Sequence, residues 1–171
     1  SCDLHVRRQA TWGMPGDLSL HKIARHFLEK LIGRDDLAFN TLTVKRQVMK
    51  CDVVICVDNK YVIAIEDKTY SSVHNDLHHS ETSLKENYQR KLGDIEFIGK
   101  IISTGSITAL PPPDNKKPNS FSLIKRAELL SIINPEGLSS NNPIYDDFIT
   151  KMHRREQHFR AWRHEPLKSW Q

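Results

Sequence analysis

Three charged side chains, Asp52, Glu66 and Lys68, flank two apolar runs near the middle of the 171-residue chain. The runs Asp52–Val57 and Tyr61–Ile65 are rich in Val and Ile and are separated by polar residues, which predicts two β-strands joined by a turn. Carboxylate oxygens are the ligands that hard divalent cations such as Mg²⁺ prefer in proteins. If the strands bring these charges together, the sequence predicts a carboxylate site for a divalent cation, with a lysine beside it.

The length of the turn decides whether the two carboxylates meet. With a three-residue connection, Asp58–Lys60, Val57 pairs with Tyr61, and counting outward places Asp52 opposite Glu66. Directly opposed residues share a face of the sheet, with Cβ atoms roughly 4.5–5.5 Å apart. A two-residue connection would shift the register and separate the two carboxylates. The predicted site therefore depends on a three-residue turn.

The alternation of side chains along each strand decides which other groups share that face. Lys68 lies two residues after Glu66, so its side chain is expected on the same side, whereas the Asp67 side chain points away. The same rule places Cys51 and Cys56 on opposite faces of one strand, where we expect both to fill the core. Two carboxylates and one ammonium group are thus predicted to converge.

The pattern along the whole chain predicts an α/β (α+β) fold with an αβββαβ core, in which helices flank a mixed central sheet. We expect one domain over 1–171, with its core at about 18–133 and a C-terminal helical extension at about 142–165. The predicted elements are a helix over 20–32, strands over 41–48, 52–57 and 61–65, a helix over 74–92, a strand over 95–103, a surface loop over 110–120 that neither pairs nor packs, a helix over 121–133 and a long helix from Pro143.

This order of elements, together with the charged residues, resembles the PD-(D/E)XK nuclease superfamily. In that pattern the second core strand begins with Asp and the third ends in Glu-x-Lys, and here Glu66-Asp67-Lys68 begins fourteen positions after Asp52. The resemblance covers roughly residues 18–103 as an arrangement of elements, and it matches the motif at three residues. Cys51 stands where the name of the superfamily has Pro, at a position that the chemistry does not use.

The resemblance implies a metal-dependent nuclease, most readily a DNA endonuclease, with Asp52, Glu66 and Lys68 as its catalytic residues. Asp52 and Glu66 would bind Mg²⁺, for which Mn²⁺ would substitute, and the backbone carbonyl of Asp67 would supply a further oxygen. Lys68 would orient the attacking water or stabilise developing negative charge, and the sequence does not choose between these roles. Similar nucleases often act in pairs, so a homodimer is a further expectation.

Composition agrees with a nucleic-acid partner but does not require one. The formal net charge is +4 and the pI is about 9.0, which favours an acidic partner, DNA rather than RNA given the resemblance. The three cysteines do not form a disulfide framework, so we expect a reducing, intracellular and cytoplasmic location. No apolar run approaches the roughly 18 residues of a membrane span, so no membrane partner is expected.

Three other interpretations stay open at this point. The same fold could bind nucleic acid or protein without cutting it. Alternatively, the chain could be an interaction subunit in which the charged cluster is an ion-pair network at the rim of a sheet. His74 and His78 have the spacing of a zinc pair on a helix, but the glutamate of an HExxH motif is missing.

The basic residues of the last predicted helix allow two interpretations. Its apolar residues are expected to pack on the domain, while its basic residues and aromatics could contact phosphates and bases. A solvated helix face explains the basic pattern equally well, so no nucleic-acid-binding residue is assigned there. The apolar residues concerned are Ile144, Phe148, Met152, Phe159 and Trp162.

Overall fold

The predicted α/β fold is confirmed by the computed structural model, which describes residues 18–69, 77–105, 107, 109–110, 116–136 and 140–164. Within these residues, four helices flank a five-stranded mixed sheet. The elements in chain order are α1 (Leu18–Ile32), β1 (Leu42–Val48), β2 (Cys51–Val57), β3 (Tyr61–Lys68), α2 (Leu77–Leu92), β4 (Glu96–Ser103), β5 (Ser122–Ile124), α3 (Arg126–Ile133) and α4 (Pro143–His164).

The strands lie in the order β1-β2-β3-β4-β5. The first three form antiparallel pairs, whereas β3 pairs with β4, and β4 with β5, in parallel. Strand β3 is central, and Val62, Ile63 and Ala64 within it are fully buried. An uninterrupted apolar run of this kind is typical of a strand that is covered on both faces.

Helices cover both faces of the sheet. On one face, α1, α3 and α4 pack against a cluster that includes Ile55, Ile63 and Ile65. On the other face, Leu84 and Tyr88 of α2 pack against a cluster that we call the α2-side core. This second cluster consists of Cys51, Val54, Cys56, Val62, Ala64, Leu84, Tyr88, Ile101 and Phe121.

The predicted helix over 121–133 is wrong in its first part. Residues Ser122–Ile124 form β5, which pairs with Lys100–Ile102 of β4, and α3 begins only at Arg126 after an extended Lys125. The helical pattern of this stretch is local, whereas the free edge of β4 offers main-chain hydrogen bonds that the sequence pattern does not reveal. Tertiary pairing therefore overrides local preference here.

Helix α4 forms as predicted from Pro143, but only two of the five apolar residues expected to pack on the domain, Met152 and Phe159, do so. Ile149 and Met152 are buried and Phe159 is half-buried. Ile144, Phe148 and Trp162 are 81%, 43% and 69% exposed, so the prediction that they pack on the domain is wrong. The buried line is Tyr145, Ile149, Met152, Glu156 and Phe159, which is offset from Ile144 and Trp162 by about 100° around the helix.

Among the helices that the structure describes, none combines the length and the apolarity needed to cross a lipid bilayer.

Candidate functional site

The turn between β2 and β3 has the three-residue length on which the predicted site depends. Val57 pairs with Tyr61, and the Lys60 N–H donates to the Val57 carbonyl at 3.0 Å. Asp58 and Asn59 both have φ of 52°, a positive value that Asp and Asn tolerate better than most residues. The predicted register of the β2–β3 hairpin is therefore confirmed.

Asp58 also holds this turn against the rest of the domain. Its two carboxylate oxygens accept hydrogen bonds from the main-chain N–H groups of Phe39, at 3.1 Å, and Thr41, at 3.0 Å. Both donors belong to the segment that leads into β1. The side chain thus fixes where the turn begins.

The β2–β3 pairing ends one residue short of the candidate carboxylates. The last pair is Val53 with Ile65, so the next position in the same register joins Asp52 and Glu66. At this position a side-chain contact replaces the main-chain pairing. Asp52 Oδ2 accepts a hydrogen bond of 2.8 Å from the Asp67 N–H. Asp52 is thereby tied to the end of β3 that carries the other two charged residues.

The break at Asp52 coincides with a change of face in the β1–β2 hairpin. Residues of β1 and β2 pair on either side of Gln47 and Asp52, but these two residues do not pair with each other. Gln47 has φ of 52°. As a result Cys51 lies in the α2-side core together with Cys56. The prediction that these cysteines lie on opposite faces is wrong, because strict alternation fails at the break. Both are buried, as expected of core residues.

Glu66 and Lys68 form a buried ion pair at the end of β3. Lys68 Nζ lies 2.7 Å from Glu66 Oε1, and the two residues are only 9% and 3% exposed. Asp67 between them is exposed, as alternation along the strand predicts. Removing one partner of a buried ion pair typically costs about 3–5 kcal/mol, because the other charge stays buried without compensation.

The Cys51 thiol lies near both carboxylates. Its Sγ donates to the Ile65 carbonyl at 3.2 Å. Burial raises the pKa of this thiol to about 11, and the negative charges of Glu66 and, more weakly, Asp52 add to the effect. Cys51 therefore stays protonated at neutral pH, which makes it a poor nucleophile. Burial is the main cause of this raised pKa, and the two carboxylates contribute less.

Ser103 is a residue of this region that the sequence reasoning missed. It pairs with Lys68 across the parallel β3–β4 ladder, so the two side chains share a face. Its hydroxyl is fully buried and has no hydrogen-bond partner among the described residues. The available signal was a serine at the end of the buried strand β4, where an apolar residue is the usual choice.

We expect Ser103→Ala to raise the free energy of unfolding by about 1 kcal/mol, because a buried hydroxyl without a partner costs about 1–3 kcal/mol. Urea denaturation of parent and variant measures the change. Ser140→Ala is the matched control, since Ser140 is also buried but donates to Asp146 Oδ1 at 2.6 Å. That control should lose stability, and an equal loss in both variants would contradict the prediction.

The donor set of the site suits a hard cation. The carboxylates of Asp52 and Glu66 and the Asp67 carbonyl provide oxygen only, and Mg²⁺ commonly uses one or two carboxylates and keeps several waters. In the part of the chain that the structure describes, no three His, Cys, Asp or Glu side chains converge as a metal site. Oxygen donors of this type are those that Mg²⁺ and Mn²⁺ accept, and water would fill the remaining coordination positions.

The histidine pair considered for zinc is only partly within the described residues. His78 Nδ1 lies 2.6 Å from the Pro118 carbonyl oxygen. His74 lies outside the residues that the structure describes. This contact joins the His78 ring of α2 to the last residues of the 110–120 segment.

Glu81 of α2 is a second buried carboxylate on the same side of the sheet. It accepts hydrogen bonds from the Ser120 N–H at 2.6 Å and the Ser120 hydroxyl at 2.8 Å, and it pairs with Lys85. The expectation that the segment over 110–120 does not pack is thus wrong at Ser120 and also at Leu110, which packs against the α2-side core. Burial alone would raise the pKa of the Glu81 carboxyl, but the hydrogen bonds from Lys85 and Ser120 hold it below its ordinary value.

This lowered pKa predicts a contribution to acid sensitivity. The Glu81 carboxylate contributes stability above its ordinary pKa of 4.5, and that contribution is lost as the pH falls through the lower pKa of the folded state. We expect Glu81→Gln to lose less stability than the parent between about pH 7 and about pH 3, as measured by denaturant unfolding. Glu86→Gln, an exposed change on the same helix, should behave like the parent. If Glu81→Gln and the parent lose equal stability, Glu81 makes no such contribution.

Comparisons of this chain with protein-family models, with curated proteins and with solved structures found no match.

Proposed function

We propose that this chain is a metal-dependent nuclease that hydrolyses phosphodiester bonds, most readily as a DNA endonuclease. Asp52, Glu66 and Lys68 are its catalytic residues. The observation that supports this most directly is the buried Glu66–Lys68 pair of 2.7 Å at the end of β3. Asp52 is tied to the same strand end by its 2.8 Å hydrogen bond from the Asp67 N–H.

A bound Mg²⁺ or Mn²⁺ would supply charge neutralisation at the phosphoryl group and would lower the pKa of a water molecule. Asp52, Glu66 and the Asp67 carbonyl would hold the cation. Lys68 contacts Glu66 Oε1, so a cation held by Glu66 would share this carboxylate with the ammonium group. The ammonium group would then lie beside the phosphate, where it could orient the attacking water or stabilise developing charge.

The charge and the cysteines of the chain support the rest of the proposal. A net charge of +4 suits a DNA partner, since a positive protein attracts the phosphate backbone. Cys51 and Cys56 are buried free thiols, which suits a reducing, intracellular compartment. A homodimer would allow two sites to cut two strands, and sedimentation of the chain with and without duplex DNA tests for it.

Asp52→Asn provides the test of this function with the least structural disturbance. Asparagine keeps an oxygen that accepts the Asp67 N–H but loses the negative charge. We expect the parent to cleave plasmid DNA with Mg²⁺ or Mn²⁺ and not with EDTA, and we expect Asp52→Asn to be at least about a thousandfold slower. This factor follows if about 4 kcal/mol of transition-state stabilisation depends on the cation.

Asp58→Asn is the matched control for that experiment. Asp58 also accepts main-chain N–H groups in the β2–β3 hairpin, but it lies at the opposite end of β2 from Asp52. Asparagine removes one of the two accepting oxygens of Asp58, so this variant should lose some stability, but in its folded state it should cleave at the rate of the parent. Equal cleavage rates in the parent, Asp52→Asn and Asp58→Asn would show that the cleavage does not depend on this site.

One alternative function has a specific observation in its favour. The Asp52 hydrogen bond to the strand end and the neutralising Glu66–Lys68 pair are also what a purely structural network would contain. The chain would then bind nucleic acid or protein without cutting. Undiminished DNA binding by Asp52→Asn, with no metal-dependent cleavage by the parent, would favour this binding module.

A further inference from the structure

Helix α4 presents an unusual line of exposed apolar side chains. In the described part of the chain, four large apolar residues are exposed, and three of them are Ile144, Phe148 and Trp162. Ile144 and Trp162 are 18 residues apart, which is five full helical turns, and Phe148 lies close to the line between them. Single exposed apolar residues are normal on a surface, but an aligned set indicates a contact surface.

Basic residues fill the gaps in this line. Lys151, Arg155 and His158 are exposed and continue the alternating spacing of four and three residues that starts at Ile144. We call these six residues the α4 stripe: Ile144, Phe148, Lys151, Arg155, His158 and Trp162. The stripe is about 27 Å long at 1.5 Å per residue.

Acidic residues of α4 do not offset the charge of the stripe fully. Asp147 pairs with Lys151 at 2.6 Å, at an exposed position where such a pair is weak. Glu156 is turned toward the domain, where it pairs with the buried Arg126 at 3.0 Å. Arg155 therefore dominates the middle of the stripe.

The charge of the stripe argues against a second copy of the chain as its occupant. In a parallel pair of α4 helices, Arg155 would face Arg155. In an antiparallel pair centred on the stripe, Lys151 would face Arg155 of the other copy. Like charges that meet in an interface are destabilising, so the stripe requires an acidic partner.

Contacts connect α4 to the end of the sheet that carries the candidate site. Ser103 pairs with Lys68, and the carbonyl of the next residue, Thr104, accepts a hydrogen bond of 3.2 Å from Arg126 Nη1. The same guanidinium pairs with Glu156 and lies 5.3 Å from the Phe159 ring centroid. These contacts fix the C-terminal half of α4 near the end of β4, although α4 itself packs against the face of the sheet opposite to the α2-side core.

We propose that the α4 stripe binds single-stranded nucleic acid and so anchors the substrate of the Asp52–Glu66–Lys68 site on the same domain. Phe148 and Trp162 stack on bases, and Arg155 and Lys151 contact phosphates between them. Exposed aromatics require unpaired bases, because the faces of bases within a duplex are already stacked. The inference rests on the proposed function, and it names the class of substrate that the site receives.

Binding of a fluorescent oligonucleotide of about 12 nucleotides, a length within the usual site size, tests the proposal. EDTA is present throughout, so cleavage does not interfere. We expect Phe148→Ala and Trp162→Ala each to weaken binding about 5- to 150-fold, the range for losing one stacked base. Arg155→Ala should reduce the salt dependence of binding by about 0.7 in log–log slope, as expected for one phosphate contact on a single strand.

Two control variants lie outside the stripe. Met49→Ala removes the other large apolar side chain that is exposed in the described part of the chain, and Lys30→Ala removes an exposed lysine from α1. Both should bind like the parent. Equal weakening in the controls and in the stripe variants would overturn the proposal.

The fluorescence of Trp162 gives an independent measurement. The chain has three tryptophans, so Trp12→Phe with Trp170→Phe leaves Trp162 as the single reporter. Single-stranded oligonucleotide should quench this signal at lower concentration than duplex of the same sequence. Equal quenching by duplex, or a concentration-dependent dimer that Trp162→Ala abolishes, would overturn the proposal.

The outcomes separate this inference from the proposed nuclease function. If Asp52→Asn abolishes cleavage but the stripe variants bind oligonucleotide like the parent, the stripe proposal is wrong and the nuclease proposal stands. If the stripe variants weaken binding but the parent shows no metal-dependent cleavage, the stripe is confirmed as a binding surface and the nuclease proposal is wrong.

Discussion

Exchanging Lys68 for methionine is expected to slow DNA cleavage about 10²- to 10⁴-fold, the usual contribution of a group that assists proton transfer or charge development. The same change is expected to raise the affinity for Mn²⁺. Lys68 Nζ lies 2.7 Å from Glu66 Oε1 and competes with any cation for that oxygen. Methionine keeps a similar length of chain but removes the competing charge. Activity and metal affinity should therefore change in opposite directions.

Stability provides a further measure of the same variant. Lys68→Met leaves the buried Glu66 without its lysine partner, so the metal-free protein should be less stable by about 3–5 kcal/mol. Because Mn²⁺ would replace the lost positive charge, it should raise the unfolding temperature more in Lys68→Met than in the parent. Calorimetric titration gives the Mn²⁺ affinity, and thermal unfolding gives the stability.

Lys85→Met is the control for these effects. Lys85 also pairs with a buried glutamate, Glu81, on the same side of the sheet. This variant should cleave DNA and bind Mn²⁺ like the parent. If Lys68→Met keeps full activity, or if its Mn²⁺ affinity falls, the assigned role of Lys68 is wrong.

Replacing Arg126 by alanine is expected to lower the free energy of unfolding by about 3–5 kcal/mol, because it breaks a buried ion pair. Arg126 is 7% exposed and joins three parts of the fold. It pairs with Glu156 of α4 at 3.0 Å, donates to the Thr104 carbonyl at 3.2 Å and lies over the Phe159 ring. Without it, Glu156 loses its buried partner and α4 loses its connection to the end of β4.

Arg160→Ala is a close comparison, since Arg160 pairs with the same carboxylate at 2.9 Å but is 66% exposed. Exposed pairs contribute about 0–1 kcal/mol, so this variant should be nearly as stable as the parent. Urea denaturation of both variants at neutral pH measures the difference. Equal losses would show that burial does not determine the strength of these two contacts.

The two arginines also determine how Glu156 responds to acid. Burial alone would raise the pKa of the Glu156 carboxyl, but hydrogen bonds from Arg160 and Arg126 hold it below its ordinary value of 4.5. A lowered carboxyl pKa contributes stability above the ordinary value, and this contribution is lost as the pH falls through the folded-state pKa. The stability difference between the parent and Arg126→Ala should therefore shrink in acid.

The hairpin that carries the candidate residues could be predicted from the sequence because its signals are local. Asp58 and Asn59 tolerate positive φ, and their three-residue connection fixes the β2–β3 register. The apolar run of β3 follows in the same way from its Val and Ile residues. Lys68 and Glu66 then share a face by simple alternation along the strand.

Features that depend on distant contacts could not be predicted in this way. Strand β5 exists because β4 has a free edge, although residues 122–124 continue a helical pattern. The face change at Gln47 has no local signal, because glutamine seldom adopts positive φ. The buried line of α4 depends on the position of α3 and of the sheet. Periodicity identified α4 as a helix, but it could not show which line of that helix faces the domain.

Binding of Mn²⁺ to the parent, Asp52→Asn and Glu66→Gln, measured by calorimetric titration, tests the central claim most directly. Each variant keeps the size of the side chain and loses only its negative charge. The proposed site predicts one Mn²⁺ per chain in the parent and at least about a tenfold weaker affinity in each variant, because each lacks one charged ligand. Unchanged binding in both variants, or no binding by the folded parent at millimolar Mn²⁺, would contradict the assignment of Asp52 and Glu66 as metal ligands.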